Sequence, residues 1–282
     1  MTVNNELQKP FFSVIMSSFN NFDTVEMAIK SVLCQNYKDF ELILINDGST
    51  DATGSIMAGY AQSYSFVTYF SNNVNIGKPL SINLGVLHAR GHYICIADAD
   101  DIWRGNKLAI QSKVLLENPE IDVLGGQVQR FGLWGKSRIP TSLPLTNLEI
   151  HRKFRKGIMA INNPTVAIRT ECFLFCGGHR GYFRRNEDFD LFLRMHRLGY
   201  NFRNVENILT DYRTKTAIQP LKYWLLAEFG RQEILLANAG KIRRIFPIIS
   251  LPKIIFDLFR LILIFVVLSL KERFSKNMIL NT

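Results

Sequence analysis

The sequence predicts an α/β fold, a mostly parallel sheet flanked by helices, on three observations. Short apolar runs alternate with helix-length segments through the first 130 residues, which implies βαβ units and parallel pairing. The 282 residues, 47% apolar and 21% charged, suffice for a large buried core and exclude a disordered, collagen-like or coiled-coil chain. Near the C-terminus both pattern and charge change, and a basic, apolar tail begins.

Each element follows from its local pattern. Phe12–Ser18 (FSVIMSS) reads as a strand. Phe22–Gln35 reads as a helix with Val25, Ala28, Ile29 and Val32 on one face. Phe40–Asn46 (FELILIN) is the second strand, followed by the turn DGST and a helix from about Asp51. Phe66–Phe70 is the third strand, Lys78–Ala89 a helix closed by Gly91, and His92–Asp98 the fourth strand. Asn106–Glu117 is helical and Ile121–Val128 a further strand. From Arg130 to about residue 185 the period is lost and Gly, Pro and basic residues cluster, which predicts loop and irregular structure. A helix returns at Asn186–Leu198, closed by Gly199. The expected division is a catalytic domain over 1–215 and a helical tail over 216–282.

The net charge is +10, which points to an anionic partner. Residues 241–282 hold eight Lys/Arg against the acids Asp257 and Glu272. Within them, the 18 residues 253–270 (KIIFDLFRLILIFVVLSL) would span about 27 Å as a helix, marginal for a hydrocarbon core of about 30 Å. Lys253, Asp257 and Arg260 fall on one stripe, which suits a helix lying in the interface beside anionic lipid. The N-terminus lacks a basic segment followed by an apolar one, so the chain is expected on the cytoplasmic face of the inner membrane, peripheral or monotopic. A nucleic-acid role is not expected, because the basic excess lies beside apolar sequence without interleaved aromatics. Cys34, Cys95, Cys172 and Cys176 are scattered, as reduced thiols are; Cys172, Cys176 and His179 offer too few ligands for a zinc site.

In parallel sheets, ligands bind at the carboxyl ends of the strands, so the residues there are the candidates. IADADD, Ile96–Asp101, ends a strand with three carboxylates over four positions. Hard oxygen ligands of that kind suit Mg²⁺ or Mn²⁺ bridging to a phosphate. A turn with a helix cap explains the same residues, and a second D-x-D recurs at Asp188/Asp190. Asp47, in NDGSTD, is placed to accept from a base or ribose donor, or to shape a turn. Glu187–Asp188 open a helix, where a carboxylate is stabilised as the anion and favoured as a base. Arg180, Arg184 and Arg185 precede them.

The ordered set SSFN (17–20), DGSTD (47–51), NIGKPLSINLGVLHARG (75–91), DADDIW (98–103), NPTVAIR (163–169) and EDFDLFLR (187–194) resembles family 2 glycosyltransferases of the GT-A fold. The resemblance covers about residues 11–215, and the sequence looks like the bacterial enzymes that build lipopolysaccharide, capsule or exopolysaccharide chains. It implies a Rossmann-like sheet and the transfer of a single sugar, with inversion, from a nucleotide-sugar donor, commonly UDP-linked. The implied acceptor is a glycan or lipid-linked oligosaccharide. It further implies that Ser17, Ser18, Phe19, Asn20 and Asp47 line the nucleoside pocket and that Asp98 faces the donor ribose or sugar. Asp100 would hold a divalent metal on the diphosphate, and Asp188 would be the general base. In this family the first motif more often has Pro and Tyr where Ser17 and Phe19 stand. The QxxRW string of processive synthases does not occur in the sequence, which favours single-sugar transfer. A sugar-phosphate nucleotidyltransferase would need a glycine-rich loop after the first strand, and SSFNNFD has none. A non-catalytic subunit of a polysaccharide assembly complex is the remaining alternative.

Overall fold

The computed structural model describes residues 9–132, 135–136, 140–183, 185–214 and 234–235. The chain divides into two compact units, 1–218 and 219–282. The expected interfacial helix 253–270 and Arg184 lie outside the described residues.

The first half follows the expected order closely. Strand β1 (Phe12–Ser18), helix α1 (Phe22–Leu33), β2 (Phe40–Asn46), α2 (Thr53–Ser63), β3 (Val67–Ser71), α3 (Lys78–Leu87) and β4 (Tyr93–Asp98) succeed one another. β1, β2 and β4 are almost wholly buried, which is why they read as continuous apolar runs: helices cover both faces of a parallel sheet. Phe12, Val14 and Met16 of β1 join a core cluster with Val25, Ala28, Ile29 and Val32 of α1. On the other face α3 lies against Ile15 and Ile45, where a Cβ on Gly85 would stand 2.5 Å and 2.7 Å from their side chains. That glycine is what allows the close approach.

The second half is more ordered than the sequence predicts. Strand β5 (Ile102–Trp103) and helix α4 (Lys107–Glu117) lead to β6 (Val123–Gly132), β7 (Gly135–Lys136) and α5 (Asn147–Arg155). A 3-10 turn (Asn163–Thr165), β8 (Ala167–Arg169), α6 (Thr170–Phe175), α7 (Glu187–Arg197) and β9 (Phe202–Thr214) complete it. The expectation of irregular structure over 130–185 is therefore corrected. α5 is fixed at its start by a capping box, Thr146 with Glu149, and by the burial of Ile150 and Phe154. The strand expected at Ile121–Val128 begins two residues later and continues to Gly132, carried by its pairing with β9.

Among the described residues the sheet order is β3-β2-β1-β4-β8-β6-β9-β5, with β7 on β6. β3, β2, β1 and β4 are mutually parallel, and β6 and β9 are parallel over a long register. The antiparallel pairings, β4–β8, β6–β8, β5–β9 and β6–β7, are each only two or three residues long. The sheet is thus mostly parallel, and its β1, β2 and β4 carboxyl ends meet along one edge.

Candidate active site

Two loops at that edge are stitched to each other. After β1 the chain turns through Asn20, whose φ of 52° is a left-handed conformation that Asn tolerates better than most residues. The Asn20 N–H donates to Ser49 Oγ at 3.0 Å, and Asn20 Oδ1 accepts from Thr50 N at 2.9 Å. Asn21 N donates to Thr53 Oγ1 and Phe22 N to Asp51 Oδ2. Ser18 is buried and its hydroxyl donates to Asn21. Ser17, half-buried, lies in register with Ile45 of β2 and Asp98 of β4. Phe19 stands 42% exposed at the rim, free to meet a flat ligand.

Asp47 closes the edge from below. It is only 2% exposed. Its Oδ1 accepts from Ile76 N and Asn72 Nδ2, and its Oδ2 from Gly77 N, each at 2.9 Å. Those bonds occupy three of about four acceptor positions and fix the loop that starts α3. Gly77, with φ 92°, hands the chain into the helix at Lys78. The Lys78 ammonium ion-pairs with Asp98 at the end of β4 and lies 3.9 Å from Glu187 Oε1 at the start of α7. One cation thus spans two carboxylate groups from distant parts of the sequence, at the end of β4 and the start of α7.

α7 is held rigidly in place. Asp190 is fully buried between Arg180, at 3.2 Å, and Arg194, at 2.9 Å. Arg194 Nη2 also donates to Gly178 O at 2.6 Å. His179, buried against Phe173, turns Nδ1 toward Glu187 O, while Cys172 Sγ faces Asp122. Asp188 Oδ1 accepts the Phe189 N–H at 2.8 Å.

Electrostatics distinguish these carboxyls. Burial alone would lower the Lys78 ammonium, but Asp98, Glu187 and Asp188 outweigh it and hold it above the usual lysine range. Burial pushes Glu187 up to about 7, with Asp188 and Asp98 adding to the rise and Lys78 opposing it. Burial also raises Asp188, against the Phe189 N–H and Lys78. Desolvation therefore opposes the helix N-terminus that was expected to favour Asp188 as the anion. A carboxylate whose pKa is raised is a stronger base.

The acidic turn lies beside them. Asp101, 2% exposed, is pushed up to about 8 by burial first, then by Asp98 and Asp100. Its Oδ2 is buried without a hydrogen-bond partner among the described residues. Tyr212 at the end of β9 is likewise raised to about 12, by burial and by the charges of Asp98, Asp101 and Asp100. Among the described residues no group of three or more His, Cys, Asp or Glu could hold a metal by itself. The turn still fits a hard divalent cation whose remaining ligands come from a phosphate. It offers carboxylate oxygens, one orphaned and buried, in a place where negative charge is already costly.

Ser17–Asn20, Asp47, Asp98, Asp100 and Asp188 therefore gather around one edge of the sheet. The sequence reading gave no role to Lys78, Tyr212 or Arg213, and weighed Glu187 only with Asp188, as a carboxylate opening a helix. Lys78 lies inside the quoted 75–91 segment and Glu187 inside 187–194, but neither residue type is unusual at a helix start. Tyr212 and Arg213 carried no signal, because β9 was not recognised.

A model of the family described as Glycosyl transferase family 2 matches residues 13–186. A Bacillus subtilis protein named as the glycosyltransferase EpsE is 34% identical over 214 residues, covering 72% of this chain and 73% of its own length. Among solved structures, S. aureus TarS 1–349 in complex with UDP aligns with a TM-score of 0.59 and 18% identity, over 82% of this chain and 71% of its own. The mannosyltransferase PcManGT of Pyrobaculum calidifontis, in complex with GDP-Man and Mn²⁺, aligns with a TM-score of 0.58 and 18% identity, over 84% and 65%. At that identity these two show a shared fold.

Proposed function

The chain belongs to glycosyltransferase family 2 and is a transferase, and from that premise we propose that it moves a single sugar, with inversion, from a UDP-linked donor to a hydroxyl of a glycan or lipid-linked acceptor. The observation that carries the reading is the convergence at Lys78, which brings the donor-side Asp98 and the base-side Glu187–Asp188 to one ammonium. Solved relatives of the fold bind UDP or GDP-Man, which supports a nucleotide-sugar donor here.

The stitched loops after β1 and β2 form a rigid wall for the nucleoside, with Phe19 as its stacking face. Asp47 keeps the start of α3 in position, so the pocket floor does not shift when a nucleotide enters. Asp98 is held by Lys78 and faces the donor sugar or ribose. Asp188 takes the proton of the acceptor hydroxyl as that oxygen attacks the anomeric carbon from the face opposite the leaving group. A Mg²⁺ or Mn²⁺ ion held by Asp100, when bound, stabilises the departing nucleoside diphosphate. The basic, apolar residues 241–282 support work at an anionic membrane surface, on the cytoplasmic face of the inner membrane, in the building of a cell-surface polysaccharide.

Calorimetric titration of UDP, with and without Mn²⁺, into wild type and Asp100→Ala tests this. The expected result is UDP binding that Mn²⁺ strengthens and Asp100→Ala leaves unstrengthened. Binding of GDP in place of UDP changes the donor class. No nucleotide binding by folded protein transfers the reading to a non-catalytic subunit.

A further inference from the structure

The acidic turn does not hold itself. Three carboxylates over four residues repel one another, and the turn joins β4 to β5, a strand of only two residues. What fixes it comes from more than a hundred positions away. Asp101 Oδ1 accepts the Arg213 N–H at 2.8 Å, and Arg213 Nε donates to the Asp100 carbonyl, also at 2.8 Å. The guanidinium carbon stands 4.6 Å from the ring centroid of Phe131, the residue paired with Arg213 in the β6–β9 register. The stretch just before Arg213 is anchored as well. Ile102 and Trp103 pair with Asp211 and Thr210, and Arg104 Nη2 meets Asp211 Oδ1 at 2.7 Å.

We propose that Arg213 is the positioning residue of a divalent-cation site at this turn: its main chain holds the Asp101 carboxylate, its side chain holds the Asp100 peptide, and Phe131 keeps the guanidinium flat between them. The inference rests on the metal-dependent donor reading above. Three features separate positioning from mere charge balance. The contact to Asp100 is to a carbonyl, which carries no net charge. The contact to Asp101 is a backbone N–H, which any residue but proline would supply, so the side chain acts on the Asp100 peptide rather than on the carboxylates. The second Asp101 oxygen is left buried and without a hydrogen-bond partner among the described residues, an arrangement that costs free energy unless a ligand completes it. Arg213 also lies outside residues 13–186, the segment the family model matches. The cation site is therefore completed by a strand beyond that segment.

The test uses the full chain. Mn²⁺ retention in saturating UDP is read from the free-ion spin-resonance signal, and UDP affinity in EDTA is read by calorimetry. Arg213→Ala and Arg213→Lys are each expected to weaken Mn²⁺ retention tenfold or more, with UDP affinity in EDTA within twofold of wild type. Lysine keeps the charge but has neither the Nε donor nor the planar group. Phe131→Leu, which keeps every donor, is expected to lose about threefold. Retention at the wild-type level in Arg213→Lys overturns the inference. So does a parallel loss of UDP affinity in EDTA, which marks a folding defect. If wild type binds UDP in EDTA yet retains no Mn²⁺, the inference falls and the donor reading stands. If neither UDP nor GDP binds, both fall.

Discussion

Asp101 shows how a single buried carboxyl ties stability to pH. Burial and the charges of Asp98 and Asp100 push it up to about 8, whereas an unfolded Asp titrates near 3.9. A raised acid favours the folded state while it is protonated, so its contribution is complete below pH 4 and is lost as pH rises through about 8. Between pH 6 and 8 that loss amounts to about 2 kcal/mol. Urea unfolding at both pH values should therefore show wild type losing about 2 kcal/mol more than Asp101→Asn; equal losses would refute the assignment. Asp188 makes a different prediction. Asp188→Asn removes the base but leaves the Phe189 N–H an oxygen acceptor, so the helix start is kept. Turnover of the donor should fall by about 10²–10⁴-fold, with UDP affinity unchanged. Because Asp188 is raised, wild-type turnover should climb with pH as the carboxyl loses its proton, over a range higher than that of an unperturbed Asp.

At the scale of elements, α3 is the piece on which the site turns. Its start is pinned by Asp47 through Gly77, and its body rests on Ile15 and Ile45 at Gly85. Gly85→Ala would gain about 1 kcal/mol of helix propensity. It would also push a methyl into contacts of 2.5 and 2.7 Å, an overpacking that costs about 1–3 kcal/mol. The clash should prevail, giving a net loss of up to about 2 kcal/mol in chemical denaturation and weaker UDP binding as Lys78 moves. Apart from the two-residue β5, the elements up to residue 128 were legible because buried parallel strands and one-sided helices write their burial into the sequence. Apart from α7, which was expected at Asn186–Leu198, later elements hide theirs. α5 buries only Ile150 and Phe154 within a basic run, although its Thr146-x-x-Glu149 cap was readable. β9 buries Asn204, Thr210 and Asp211, polar residues whose burial is made tolerable by bonds such as Asn204 Nδ2 to Pro144 O and Ala160 O. No apolar alternation remains to be read. For the same reason the acidic turn was legible from its own residues, while the strand that holds it was not.

At the scale of the whole molecule, charge is distributed unevenly. Of the net +10, the excess of eight Lys/Arg over Asp257 and Glu272 falls in residues 241–282. A chain ending at residue 240 should lose most of its sedimentation with anionic vesicles, and wild-type binding should weaken as salt rises; undiminished binding by the shortened chain would refute a lipid role for the tail. The sheet order has a separate consequence. β5 is made early, at residues 102–103, but its partner β9 is, among the described residues, the last strand of the sheet, ending at Thr214. On the ribosome, the nucleoside wall of β1, β2 and β4 can assemble while the acidic turn still lacks its clamp. A nascent chain halted before Arg213 would therefore hold a nucleoside without gripping its metal-bound diphosphate, and the ability to spend a donor would arrive only once β9 has been made.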